Sequence, residues 1–122
     1  MRYYGFLILA AFMALTVPRA TCSTTFGSVL AIGGHASDIA LDEARGLLYV
    51  SNYTTNCIDE VNTANNSLMQ CQFNVDPQPG SLALSPDGQY LLIAHGPKGD
   101  QFKQSYNLLT LIHLPDGASW VF

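Results

Sequence analysis

Two stretches decide how this chain folds: "ALDEARGLLYVSN", Ala40 to Asn52, and "ALSPDGQYLLIAH", Ala83 to His95. A shift of 43 residues places Ile39 on Leu82, Ala40 on Ala83, Leu41 on Leu84, Leu47 on Tyr90, Leu48 on Leu91, Tyr49 on Leu92 and Val50 on Ile93. All seven positions are apolar in both copies, and no gap is needed. Between them each copy carries a polar turn, Asp42 to Gly46 in the first and Ser85 to Gly88 in the second. In "SPDG", Pro86 presets the first turn angle and Gly88 accepts positive φ after Asp87. Each copy therefore predicts a short strand, a tight turn and a longer strand.

The correspondence continues. "NCIDEVNTANN" from Asn56 matches "NLLTLIHLPDG" from Asn107 at an offset of 51, the eight extra residues falling in "GPKGDQFKQSY", Gly96 to Tyr106. A further strand follows in each copy, "SLMQCQFNV" and the beginning of one in "ASWVF". Four antiparallel strands per unit, repeated at about 43 residues, is the pattern of a β-propeller blade. The unbroken apolar runs "GLLYV" and "YLLIA" fit strands covered on both faces by neighbouring blades. A small β-sandwich would also give short regular strands, but it offers no reason for copies in register over so many positions. The expected fold is all-β: blade one over residues 37–76 and blade two over 80–122.

"GLLYVSN" at Gly46 to Asn52, "LALSPDGQYLLIAH" at Leu82 to His95 and "NLLTLIHLPDGA" at Asn107 to Ala118 resemble the YVTN-type repeat propellers. "YVSN" at Tyr49 departs from that family's signature by one conservative change, and "SPDG" at Ser85 matches it fully. The second copy departs further, with "LIAH" putting His95 where the family carries Asn, and "DEAR" replaces "SPDG" in the first. The resemblance implies a secreted or surface-exposed propeller, commonly of seven blades, in a group that includes uncharacterised surface-layer proteins and has lactonases among its relatives. Seven blades need about 300 residues, against 122 here. The expectation is thus the N-terminal part of a seven-bladed propeller, "SVLAIGG" at residues 28–34 being a latch strand that completes the last blade. The alternative is a chain that closes a ring with other subunits.

The first residues carry no fold. "MRYYGFLILAAFMALTVPRATCS" has one early base, Arg2, an uncharged apolar run from Tyr3 to Val17, and small residues at Ala20 and Ser23, the layout of a secretory leader over residues 1–22. Its apolar run is short for a membrane span, which needs about 20 residues. Without the leader three bases, Arg45, Lys98 and Lys103, face nine acids. With no basic stripe, neither nucleic acid nor an anionic membrane surface is an expected partner.

Secretion bears on the cysteines and on two Asn-x-Ser/Thr triplets. If a hairpin folds about Thr63 to Asn66, Cys57 and Cys71 come almost directly opposite each other, within reach of a bridge that an oxidising compartment would let form. The alternative is a pair of buried thiols. Cys22, behind Thr21 and Arg19, lacks the surroundings of a lipoprotein signal. Of the triplets, Asn52 at a strand end is a poorer glycan acceptor than Asn65 in a turn.

Chemistry is sparsely marked. Propeller ligands sit at the channel mouth, on the loops into each innermost strand and between the second and third strands. That places His35 and Asp38 before the first inner strand and Ser81 before the second, with His95 and the Gly96 to Tyr106 insertion on the same end. An Asp and a His could orient a water, but loop residues of these types more often cap turns. His35, His95 and His113 fit no short metal motif, and "AIGGHAS" lacks the following helix that phosphate binding needs. Neither a nucleophile elbow nor a catalytic carboxylate pair is present, and Trp120 has no counterpart in the first copy, as a lectin pocket repeated per blade would require. The expected function is a scaffold binding protein or glycan at its channel face, without cofactor or metal; the alternative is part of a lactonase-type hydrolase.

Overall fold

A computed structural model describes residues 27–96 and 108–122. The leader and all of the insertion except Gly96 lie outside the described residues. The rest forms two four-stranded antiparallel sheets and no helix. The first runs in chain order through β1 (Ala36–Asp42), β2 (Leu47–Asn52), β3 (Cys57–Asn62) and β4 (Ser67–Asn74). The second repeats it with β5 (Pro79–Leu84), β6 (Tyr90–His95), β7 (Leu109–His113) and β8 (Ser119–Val121). Among the described residues no helix is long and apolar enough to cross a membrane.

The hairpin loops follow one rule. Residues 43–46, 53–56, 63–66 and 114–117 are four-residue connections, each ending in a left-handed residue: Gly46, Asn56, Asn66 and Gly117, with φ of 64°, 56°, 56° and 74°. Gly and Asn adopt that conformation at least cost. "SPDG" is the exception, its left-handed Gly88 (φ 66°) standing one position earlier. The Gly88 N–H donates to Ser85 O (2.8 Å), while the Ser85 hydroxyl donates to Asp87 and accepts from Tyr90 N–H. The "DEAR" turn instead uses Gly46, which frees Arg45 to reach outward.

The sheets pack through their first strands, β1 against β5. A core of Tyr49 and Ile58 from one sheet and Leu91, Ile93 and Ile112 from the other lies between them, with Ala40, Leu47, Leu82 and Leu84 around it. At about 25 cal/mol per Å² of apolar area removed from water, this burial is the main force joining the sheets. Three polar stitches fix the alignment. The Ser37 hydroxyl donates to Pro79 O (2.6 Å), Asp38 accepts from Leu82 N–H (2.8 Å), and Arg45 donates to Gly88 O (2.6 Å) while paired with Asp42. Burial pushes the Asp42 carboxyl upward, but the hydrogen bonds and charge of Arg45 outweigh it, and its pKa lies below the ordinary carboxylate value.

Residues 28–34, expected as a strand, have no ladder partner among the described residues. Gly33 and Gly34 take φ of 66° and 121°, which breaks an extended run, and Val29 stands 95% exposed. Side chains tie the segment to the first sheet instead: Gln70 Nε2 donates to Ile32 O and Asn66 Nδ2 to Ser28 Oγ.

Candidate functional site

The end of the molecule carrying the start of β1, the β2–β3 loop, the β4–β5 connection and the end of β6 holds the residues singled out from sequence. His35 is exposed, its N–H bonded to Thr54 Oγ1 (3.0 Å) and its carbonyl accepting from Tyr53 N–H (2.8 Å). The His35 and Tyr53 rings lie 6.3 Å apart at 53°. Together they present an imidazole and a phenol side by side at the loop surface, a pairing that can stack on a flat ligand and hydrogen-bond to its rim.

The other three candidates differ in kind. Asp38 is half-buried and spends both carboxylate oxygens on backbone amides, Oδ1 on its neighbour Ile39 and Oδ2 on Leu82. Ser81 occupies the equivalent position in the second sheet, is exposed, and has its side chain open to solvent. His95 is 6% exposed, with Nε2 2.8 Å from the Thr110 hydroxyl and Nδ1 3.3 Å from Pro77 O. Among the described residues no hydrogen bond joins any two of His35, Asp38, Ser81 and His95. The fold brings Asp38 beside the backbone of Ser81 but gives it a stitching duty.

The bonds of His95 match those of its counterpart in the first sheet. In the first sheet the equivalent Asn52, 1% exposed, donates through Nδ2 to Asp59 Oδ2 (2.9 Å) and to Gly33 O (3.1 Å) and accepts from Thr55 N–H. At the offsets of 43 and 51, Asn52 and Asp59 become His95 and Thr110. Each sheet thus ties the end of its second strand to its third through a buried polar pair, and to the backbone entering the sheet. These pairs hold the loops in place from within the sheets. Sequence inspection found the Asn-to-His exchange but not its partner, although the second offset marks Asp59 and Thr110 as equivalent.

Asp59 has a further duty. Its Oδ1 accepts the N–H of Cys71 (2.7 Å), which opens a bulge in β4 so that Glu60 pairs with Met69 but Ile58 with Phe73. Cys71 takes φ of 50° and closes a disulfide with buried Cys57, the Cα atoms 4.9 Å apart. The bridge expected between these cysteines is therefore formed, with Cys71 in the bulge and Cys57 opposite Asn74 in the ladder. Such a bond fits an extracytoplasmic setting.

At the opposite end a groove of about 530 Å³ opens between the β1–β2 and β5–β6 loops, crossed by Arg45. Nearby, His113 pairs with Asp116 (2.7 Å) and its ring lies 5.0 Å from that of Tyr90. Among the described residues no group of three or more His, Cys, Asp or Glu side chains could hold a metal ion. Compared with known proteins, the chain matches no family model and no curated protein.

Proposed function

We propose that the two sheets are successive blades of a secreted β-propeller of the YVTN-type repeat class, acting as a non-enzymatic scaffold that binds protein or glycan at its channel-face loops. One observation carries this: the sheets share strand order and turn positions, down to the buried pairs Asn52–Asp59 and His95–Thr110, and pack through their first strands. Stacking by first strands brings the loops of successive sheets to one end, as propeller binding faces require. Seven blades and a closed ring are the full form of this proposal. The scaffold role is favoured because Asp38 and His95, the residues best suited to acid–base work, are engaged in holding the fold.

The test has two parts. Electron microscopy of the natural secreted product is expected to show a closed ring with a central channel; an open stack of sheets would overturn the propeller. The same material, screened against a glycan array and a panel of lactones and esters, is expected to bind without turnover. Hydrolysis that disappears in a His35→Ala variant would instead establish the lactonase-type alternative.

A further inference from the structure

The structure separates the two Asn-x-Ser/Thr triplets, and we propose that Asn65 carries an N-linked glycan whereas Asn52 stays bare. The inference rests on the secretory part of the reading above, since the donor, a lipid-pyrophosphate-linked oligosaccharide, is met only along a secretory route.

Asn65 lies at the tip of the Thr63–Asn66 loop and is exposed, as is Ser67, which supplies the triplet's hydroxyl. Asn65 Oδ1 accepts the Ser67 N–H (2.9 Å), an Asx turn that draws the hydroxyl-bearing residue back towards the amide. Its Nδ2 makes no hydrogen bond among the described residues. In the transfer this nitrogen bonds to C1 of the first sugar as the bond from C1 to the phosphate oxygen breaks. The lipid pyrophosphate leaves, and the amide gives up one proton. Nothing in the loop has to move.

Asn52 offers the opposite environment. Its Nδ2 is the donor to both Asp59 and Gly33, and its side chain is packed so closely that a Cβ built on Gly34 would stand 2.7 Å from Oδ1. A sugar on that nitrogen would leave it one N–H in place of two, so that either Gly33 O or the buried Asp59 Oδ2 loses its donor, in a site too closely packed to admit the sugar. A chain modified there could not close the first sheet. The Asn65 loop also points away from His35 and Tyr53, because β3 runs between the two loops and places them at opposite ends. A glycan at Asn65 therefore leaves the proposed binding face clear.

The experiment expresses the full chain in a eukaryotic secretory host, once with its own leader and once behind a surrogate leader, and reads intact mass before and after enzymatic deglycosylation. With the surrogate leader, one glycan is expected. It should vanish in Asn65→Gln and in Ser67→Ala and persist in Thr54→Ala, which removes the Asn52 triplet, together with the His35 N–H bond to the Thr54 hydroxyl, and leaves the Asn65 triplet whole. A secreted protein without glycan, or one whose glycan is lost in Thr54→Ala and kept in Ser67→Ala, overturns the assignment. The arm with the native leader reads the other question: retention inside the cell there, with Asn65 modified behind the surrogate, refutes natural secretion while leaving the acceptor chemistry intact.

Discussion

Equivalent buried positions in the two sheets hold different chemistry doing the same work, so they can be exchanged. His95→Asn shortens the side chain and strands the Thr110 hydroxyl, and Thr110→Asp alone buries a carboxylate beside imidazole. Each single change is expected to cost about 1–3 kcal/mol. The double variant recreates the Asn52–Asp59 pair in the second sheet and should recover at least half of the summed loss. Urea unfolding of the four proteins forms a double-mutant cycle, and strict additivity would show that the pairs are not interchangeable. Tyr49 makes a second residue-level prediction. Burial, then the charges of Glu60 opposite it and of Asp42, push its phenol from 10.0 up to about 12. The folded state prefers the neutral phenol, so this stability is complete below pH 10 and is lost as pH rises from 10 towards 12. The loss is on the order of 2 kcal/mol. A Tyr49→Phe variant, which cannot ionise there, should lose less stability over that window when unfolding is followed by tryptophan fluorescence. A profile identical to that of the parent would mean Tyr49 does not ionise on unfolding.

Strands and turns were the most legible part of the sequence, because apolar runs and turn residues act locally: both offsets, every strand hairpin and the Cys57–Cys71 bridge follow from them. What was hidden lies where a distant side chain overrides the local pattern. The β4 bulge exists because Asp59 captures the Cys71 amide, and alternation along "SLMQCQFNV" carries no sign of that. Asp38, expected to precede the first inner strand, lies within β1, and only the packing of β1 on β5 brings the Leu82 amide to its carboxylate. The β3–β4 hairpin depends on its covalent clamp accordingly. Cys57 and Cys71 are 14 residues apart, and a loop of about 15 residues loses roughly 3 kcal/mol of unfolded-state entropy when closed. Replacing both cysteines with Ala should lower unfolding stability by about 2–4 kcal/mol in non-reducing buffer and abolish any effect of added reductant. Equal stability of parent and variant would show that the Asp59 bulge alone suffices.

At the scale of the whole molecule, the two sheets display both halves of the contact they make with each other. Tyr49 and Ile58 are buried against the second sheet, at 1% and 0% exposure, whereas their equivalents Leu92 and Leu109 stand 36% and 39% exposed. Leu92 lies in a row with Ala83, Leu111 and Trp120 across the open face of the second sheet. On the far face of the first sheet, Ile39 and Leu41 are 58% and 51% exposed, although their equivalents Leu82 and Leu84 pack on the core. Exposed apolar faces of this kind favour association. In a sample of this chain alone they meet each other, head to tail, because each face is complementary to the other and not to itself. Sedimentation should therefore show concentration-dependent association of the parent protein. Leu92→Glu and Ile39→Glu each spoil one face, and each variant should sediment as a folded monomer. Mixed in equal amounts they retain one good face of each kind, so the mixture should form dimers and stop there. Association of either variant alone would point to like faces meeting, and a monomeric parent would mean that the exposed rows are too small to hold two copies together.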